Sequence, residues 1–307
     1  MDPKTESSVP SFRPVTPEDK TLITSYTLSC PWQNCDLSFS NLCSWRFMYD
    51  TLYAELNGFL ILKFKTEEGL PAYMYPIGKG HPPVELLLTL RDDAARTTGE
   101  PLRLMGLCRE MCESLEHLMP GHFHFEHDRN CADYLYLRTD LATLAGKKMQ
   151  AKRNHVNKFM RTYRYEYMPL TTDRIHECLD LEAEWCKQNN CEQFEGMGFE
   201  RRALVYALFN YDALGLTGGV LHVDGNIAAF TFGMPINHNT FGIHIEKADT
   251  RIEGAYAMIN REFAAHIPEQ YTYLNREEDL GLEGLRKAKL SYQPVALVEK
   301  DTAILIY

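Results

Sequence analysis

Asp224-Gly225-Asn226 separates two apolar runs, Thr217–Val223 and Ile227–Pro235, and an Asp-Gly pair in that setting predicts an antiparallel hairpin. The same reading predicts helices at Thr172–Asn189 and Phe199–Tyr211 ahead of the hairpin. Behind it come a strand at Thr240–Lys247, a helix at Gly254–Ala265, a strand at Tyr271–Asn275 and a helix at Leu280–Leu290. Strands at Val295–Glu299 and Ala303–Ile306 close the series. The first half has the same order. Thr16-Pro17-Glu18-Asp19 starts a helix, with Thr16 as cap, Pro17 at the first helical position and acids in the first turn. A second helix, Ser40–Tyr49, precedes strands at Leu52–Leu56, Phe59–Phe64 and Ala72–Pro76. Then follow a helix at Val84–Arg96, a strand at Leu102–Leu104, a helix at Leu107–Leu118 and strands at Phe123–Glu126 and Tyr134–Arg138. The halves share this order but no visible sequence similarity.

An α+β chain of two tandem units is therefore expected: 1–9 as a loose tail, 10–139 as the first unit, 140–167 as a basic linking helix and 168–307 as the second. A length of 307 residues suits two domains. The nine cysteines form no Cys-x-x-Cys pair, which reads as reduced thiols in a cytoplasmic protein. The start, Met1-Asp2-Pro3-Lys4-Thr5-Glu6, lacks the apolar core of a signal peptide, and no apolar run approaches the roughly 20 residues that cross a bilayer. No stable membrane insertion is expected.

Net charge is −10, which argues against a protein that coats nucleic acid. The balance is uneven, because seven Lys or Arg and no acid fall between Asp140 and Glu166. Leu144–Arg164 reads as a helix whose Met149, Val156 and Met160 line one face. Lys147, Asn154, Lys158 and Arg161 lie opposite, and Lys152 and Arg153 flank the apolar stripe. Such a helix is either a solvated basic face or, with Lys147, Lys148, Lys152, Arg153 and Lys158, a ridge for an external phosphate.

Two further stretches carry candidate chemistry. Arg251 and Gly254 precede the helix N-terminus at Ala255, where free N–H groups and the dipole favour an anion. In Tyr273-Leu-Asn-Arg-Glu-Glu-Asp-Leu-Gly-Leu-Glu-Gly-Leu-Arg-Lys-Ala-Lys-Leu-Ser-Tyr-Gln-Pro294, polar residues gather at a strand's C-terminal end, a usual place for a site. Glu277 or Asp279 can accept a proton there, and Lys289 can hold a phosphate or an oxyanion. Taken singly, the same acids can instead cap the following helix and pair with its basic residues.

Two helices, a hairpin and then strand–helix–strand–helix–strand is the element order of the GNAT acyltransferase fold, which the chain resembles twice. Arg251-x-x-Gly254 resembles the GNAT pyrophosphate loop, except that Tyr256 stands where Gly or Ala is usual and Ala255 comes one residue early. Leu144–Phe159 together with Tyr273–Pro294 resembles the C-terminal domain family of phosphatidylglycerol lysyltransferases, including its small stand-alone members, with a wider likeness to the Fem aminoacyl ligases. The resemblance covers nearly the whole chain.

It implies transfer of an aminoacyl or acyl group from aminoacyl-tRNA or acyl-coenzyme A to an amine or hydroxyl of a small molecule or lipid headgroup, with no cofactor required. Lys289-Leu-Ser-Tyr292-Gln-Pro294 matches a Fem-like Lys-x-x-aromatic-x-Pro stretch near the tRNA end. The implied catalytic set is Glu277, Asp279, Asn275 and Tyr292. The implied donor set is Arg251, Gly254, Ala255 and Lys289, extended by the five basic residues of the linking helix. Two other readings stay open: a non-catalytic binder of an anionic ligand or RNA, and an acetyl-coenzyme A N-acetyltransferase. His122 and His124 have a zinc-ligand spacing but no further ligands to complete it, so no metal is expected. Cys108, Cys112 and His117 read as a helix face, and Pro76-Ile-Gly-Lys-Gly80 as a plain turn.

Overall fold

A computed structural model describes residues 10–189 and 195–306. The tail expected at 1–9 lies outside the described residues, as does Cys191. Fourteen strands form two seven-stranded mixed sheets among the described residues. They are β1 (Arg13–Pro14), β2 (Leu52–Leu56), β3 (Phe59–Lys65), β4 (Pro71–Met74), β5 (Arg103–Leu107), β6 (Phe123–Glu126), β7 (Asp133–Leu137), β8 (Tyr165–Pro169), β9 (Thr217–Val223), β10 (Asn226–Pro235), β11 (Thr240–Ala248), β12 (Tyr273–Asn275), β13 (Ala296–Val298) and β14 (Asp301–Leu305).

Both hairpins at the heart of the sheets turn on two residues with positive φ, Asn57-Gly58 and Asp224-Gly225, the backbone that a two-residue primed turn requires. In each sheet the fourth and fifth strands run parallel, β4 with β5 and β11 with β12, across an intervening helix, Val84–Thr98 or Ala255–His266. The fold is two GNAT-like units in tandem, of the α+β class.

The strands expected to close each half instead change places. The sheet orders are β1-β2-β3-β4-β5-β14-β6 and β13-β7-β12-β11-β10-β9-β8. The first half thus lends β7 to the second sheet, and the C-terminal β14 enters the first, between β5 and β6. An edge strand, β8, adds to β9 where the basic helix was expected to run out. That helix spans Gln150–Thr162, so Lys147 and Lys148 lie in the turn before it.

The core reflects the exchange. One apolar cluster fills each half: Tyr73, Leu86, Leu90 and Leu104 in the first, Phe159, Phe241, Met258 and Leu274 in the second. A third joins them, with Phe39 and Leu60 packed in one cluster with Leu208, Phe230 and Phe232. Each such large side chain contributes about 1.5–3 kcal/mol by burial, so the halves share one stabilising unit. Among the described residues seven cysteines are free thiols, but Cys186 is disulfide-bonded, against the expectation of reduced thiols throughout. No helix among the described residues is long and apolar enough to cross a membrane.

Candidate functional site

β11 and β12 pair only from Thr240/Tyr273 to Gly242/Asn275, although β11 runs on to Ala248. The sheet therefore opens beyond Asn275, between β11 and the chain leaving β12, which stays hydrogen-bonded to Tyr134 of β7 through the Arg276 N–H and the Glu277 carbonyl. A β-bulge lies beside it. Phe232 pairs with Ile245 while the next residue, Gly233, pairs with Ile243, which leaves His244 unpaired. Bulges re-aim side chains. Here His244 turns toward the first half while Glu246 faces the helix Ala255–His266.

Four consecutive residues after β12 enter four different surroundings, helped by a left-handed φ of 57° at Glu277. Arg276 Nη2 donates to Glu246 Oε1 at 3.0 Å, and its guanidinium lies 4.7 Å from the Tyr292 ring centre. Asn260 Nδ2 donates to the other oxygen of Glu246 at 3.0 Å, and Lys152 Nζ stands 4.0 Å above the far part of this group, the Tyr292 ring. Burial holds the Lys152 ammonium below its ordinary pKa, aided by Arg276.

Glu277 Oε1 accepts from Asn41 Nδ2 at 2.9 Å and lies 2.8 Å from His244 Nδ1. The other ring nitrogen of His244 is 2.8 Å from Ser38 Oγ. Carboxylate, imidazole and hydroxyl thus form a line that joins the two halves. Ser38 is fully buried, while the Glu277 side chain keeps 23% of its surface open.

Glu278 reaches Lys300. The Lys300 ammonium is bonded to Glu278, lies 2.7 Å from Asp133 Oδ1 and 3.2 Å from Asp36 Oδ2, and donates to Cys35 Sγ at 3.4 Å. Burial opposes its charge, but Asp133, Asp36, Cys35 and Glu278 together raise its pKa well above the lysine range. Burial, with the neighbouring Glu278 and Asp36, pushes Asp133 up to about 7 against the pull of Lys300. Burial and Asp133 also raise the Cys35 thiol, which is therefore no activated nucleophile. Cys35, Asp133 and Glu278 have ligand atoms within 4.8 Å of one another, and Lys300 supplies the positive charge among them.

Asp279 is fully buried. It accepts from Arg286 Nε and Nη2, each at 2.8 Å, and from Tyr134 Oη at 2.5 Å, with Arg129 at 3.4 Å. The hydrogen bonds from Arg286 hold it well below the usual carboxylate range. It is a locked anion, not an open proton acceptor.

Of the residues expected from sequence, Asn275, Glu277, Tyr292, Lys289 and Lys152 come together here. Asn275 is a brace: Nδ2 donates to Gln33 O at 2.7 Å and Asp133 Oδ2 at 2.8 Å, and Oδ1 accepts from the Glu277 N–H. Lys289 points inward, against the expectation of an anion ligand. Its ammonium donates to the carbonyls of Arg276 and, at 2.5 Å, Glu278, and burial lowers its pKa. It fastens the 276–278 turn from behind.

The expected pyrophosphate loop lies apart and is covered. Gly254 has φ 88°, and a Cβ there would sit 3.0 Å from His155 O and 3.2 Å from Phe159 Cβ, so the basic helix packs on the start of the helix at Ala255. Lys158 pairs with Glu253 at 2.6 Å, and Arg251 lies along Asp249, with its Nη2 at 2.7 Å. Arg153 donates to the carbonyls of Leu144 and Gly146, and Lys147 and Lys148 are exposed.

Sequence reasoning missed His244, Ser38, Asn41, Glu246, Asn260, Asp133 and Lys300. Polar His244 and Glu246, set among the apolar residues of the strand Thr240–Lys247, were the available signal. The others lie in segments brought in by the fold. A cleft of about 230 Å³ lies on the first-half side, lined by Trp32, Gln33, Asn34, Gly106, Glu110 and Glu299 among others. Gln33 links it to Asn275.

The family model described as "Phosphatidylglycerol lysyltransferase, C-terminal" matches residues 30–303. The chain belongs to that family. A conserved protein of unknown function from Bacteroides thetaiotaomicron VPI-5482 is 60% identical, with a TM-score of 0.92 over 96% of this chain and 99% of that one. L-PGS from Bacillus licheniformis has a TM-score of 0.63 at 18% identity over 94% of this chain and 92% of that one. FemX has a TM-score of 0.60 at 8% identity over 96% and 97%, and these two show the fold alone. An uncharacterised protein from Mycoplasmoides gallisepticum is 26% identical over 172 residues, 55% of this chain. That match spans about half, 54%, of the curated relative.

Proposed function

We propose that this protein is an aminoacyl or acyl transferase that takes an acyl group from aminoacyl-tRNA or acyl-coenzyme A and passes it to an amine or hydroxyl. The observation that carries this reading is the turn at Arg276–Glu278, which sets the Arg276 guanidinium against Glu246 and the Glu277 carboxylate against His244 where β11 and β12 part. Glu277 takes the proton from the attacking group, oriented by His244 and Asn41, and Arg276 steadies the carbonyl oxygen. Lys147, Lys148 and Lys152 meet the donor's phosphates outside the opening. Asn275, Lys289 and Asp279 hold the turn in place, and the donor set expected at Arg251, Gly254 and Ala255 recedes, because the basic helix lies over it.

Among donors, the same covered loop favours aminoacyl-tRNA over coenzyme A. The cleft edged by Glu110 and Glu299 suits an amine-bearing acceptor. The test is transfer of radiolabelled amino acids from a bulk charged tRNA pool to a mixed amine and lipid-headgroup set. Glu277→Gln should lower turnover at least about 100-fold with binding retained. Salt-sensitive tRNA binding without any turnover would instead favour a non-catalytic RNA or anion binder, and tight acetyl-coenzyme A binding alone an N-acetyltransferase.

A further inference from the structure

The cleft of about 230 Å³ beside Gln33 is lined by two carboxylates, Glu110 and Glu299, and by no lysine, arginine or histidine. The cations next to them in the chain are engaged elsewhere, Arg109 with Glu113 at 2.8 Å and Lys300 with Asp133 at 2.7 Å. Among the described residues neither Glu110 nor Glu299 has an ion-pair partner. The rest of the wall is largely apolar, with Pro31, Met111, Val298 and the half-buried indole of Trp32. An aromatic face and two carboxylates without a counter-ion, set around a hydrocarbon-lined space, take an organic cation.

Gln33 stands between this cleft and Glu277 and is tied down on both sides. Its side-chain amide donates to Thr240 Oγ1 at 2.9 Å, and its carbonyl accepts from Asn275 Nδ2 at 2.7 Å. Asn275 Oδ1 in turn accepts from the Glu277 N–H. A nitrogen held by Glu110 and Glu299 therefore lies beyond Gln33 from Glu277 and is not the one that attacks. A third carboxylate continues the path. A Cβ on Gly106, part of the cleft lining, would stand 3.8 Å from Asp36 Oδ2, and 43% of the Asp36 side-chain surface is open. Asp36 shares the Lys300 ammonium with Glu278, the residue next to Glu277.

We infer that the acceptor is a diamine or longer polyamine, with one ammonium held in the cleft by Glu110, Glu299 and the Trp32 ring while a second nitrogen reaches Glu277 past Asp36. This rests on the transferase reading and names its acceptor class. An ammonium has no lone pair, so the anchor and the nucleophile need opposite protonation states, which two nitrogens supply and one does not. The second nitrogen attacks as the free amine and forms an amide bond to the donor's carbonyl carbon. That carbon parts from the donor's oxygen or sulfur, and the amine's proton passes through Glu277 to the leaving atom. An anionic phospholipid headgroup meets Glu110, Glu299 and Asp36 with like charge and is refused.

The test is calorimetric titration of the full chain with butylamine, 1,4-diaminobutane, 1,5-diaminopentane and spermidine, and with vesicles of an anionic phospholipid. At least one diamine or spermidine should bind roughly tenfold or more tightly than butylamine, and the vesicles should not bind. Glu110→Gln with Glu299→Gln should weaken that amine by about tenfold or more, with thermal melting used to verify folding. Glu85→Gln with Asp92→Asn removes the same charge from the exposed face of the helix Val84–Thr98 and should leave binding unchanged. The inference is overturned if butylamine binds as tightly as the diamines, if no amine binds, or if both double variants behave alike. The transfer assay separates the two failures. If charged tRNA acylates butylamine or a lipid headgroup as fast as the diamines, the acceptor class is wrong while the transferase stands. If diamines bind through Glu110 and Glu299 but no donor yields product with any acceptor, the transferase reading falls and takes the acceptor assignment with it.

Discussion

Lys300 Nζ lies 2.7 Å from Asp133 Oδ1, and these two residues mark the points where the exchanged strands cross between the sheets. Asp133 opens β7 as the chain leaves the first sheet, and Lys300 immediately precedes β14 as the chain returns to it. The pair pins both crossings together, and Glu278, bonded to the same ammonium, ties the candidate site to that pin.

Lys300→Met should be strongly destabilising. It leaves Asp133, Glu278 and Asp36 facing one another with no cation, and breaking a buried pair on one side costs about 3–5 kcal/mol. Urea denaturation should show this loss, and adding Asp133→Asn should recover part of it, since the two changes share one interaction.

Asp279→Asn should lower stability at neutral pH by about 2 kcal/mol, the scale of hydrogen bonds to a charged group. Because the folded carboxyl is held well below its unfolded pKa, the folded state binds fewer protons than the unfolded one as pH falls through the carboxylate range. Its contribution is full above the unfolded pKa and is lost progressively as pH falls from there through the folded pKa. Melting curves from pH 7 to pH 3 should therefore show the gap between variant and parent beginning to narrow on the acid side. A constant gap would contradict the assignment.

Gly254→Ala should destabilise by more than about 1 kcal/mol, because φ is 88° and the new methyl would press on the His155 carbonyl oxygen. Chemical denaturation reads the loss. A neutral result would mean that the basic helix does not pack on the start of the next helix as described.

His244→Asn should reduce transfer by about 10- to 100-fold with little change in donor affinity, since Glu277 loses the ring that orients it but keeps Asn41. A loss confined to KM would point to binding instead.

Much of the site's location was legible, and less of its chemistry. Asn275, Glu277, Lys289 and Tyr292 were marked by a polar cluster at a strand end, a local signal. The parts played by Lys289 and Asp279 were not, because a charge on a short helix reads the same whether it faces water or the chain's own carbonyls and arginines. In the helix Glu283–Leu290 the charged Arg286 and Lys289 are turned inward while Leu285 and Leu290 lie exposed, the reverse of the usual pattern. His244 was hidden because a β-bulge redirects it, and bulge position depends on the partner strand's register.

The sequence by itself determined what short-range chemistry can encode: the Asp224-Gly225 turn, the helix–strand order of both halves, and the polar cluster after β12. Only the tertiary structure decided which sheet each closing strand joins. β7 and β14 are both short apolar strands, and a strand's backbone hydrogen bonds do not distinguish one sheet edge from another. The choice rests on contacts between residues far apart in the chain, Lys300 with Asp133 and Glu278 foremost, and those contacts exist only once both halves have folded together.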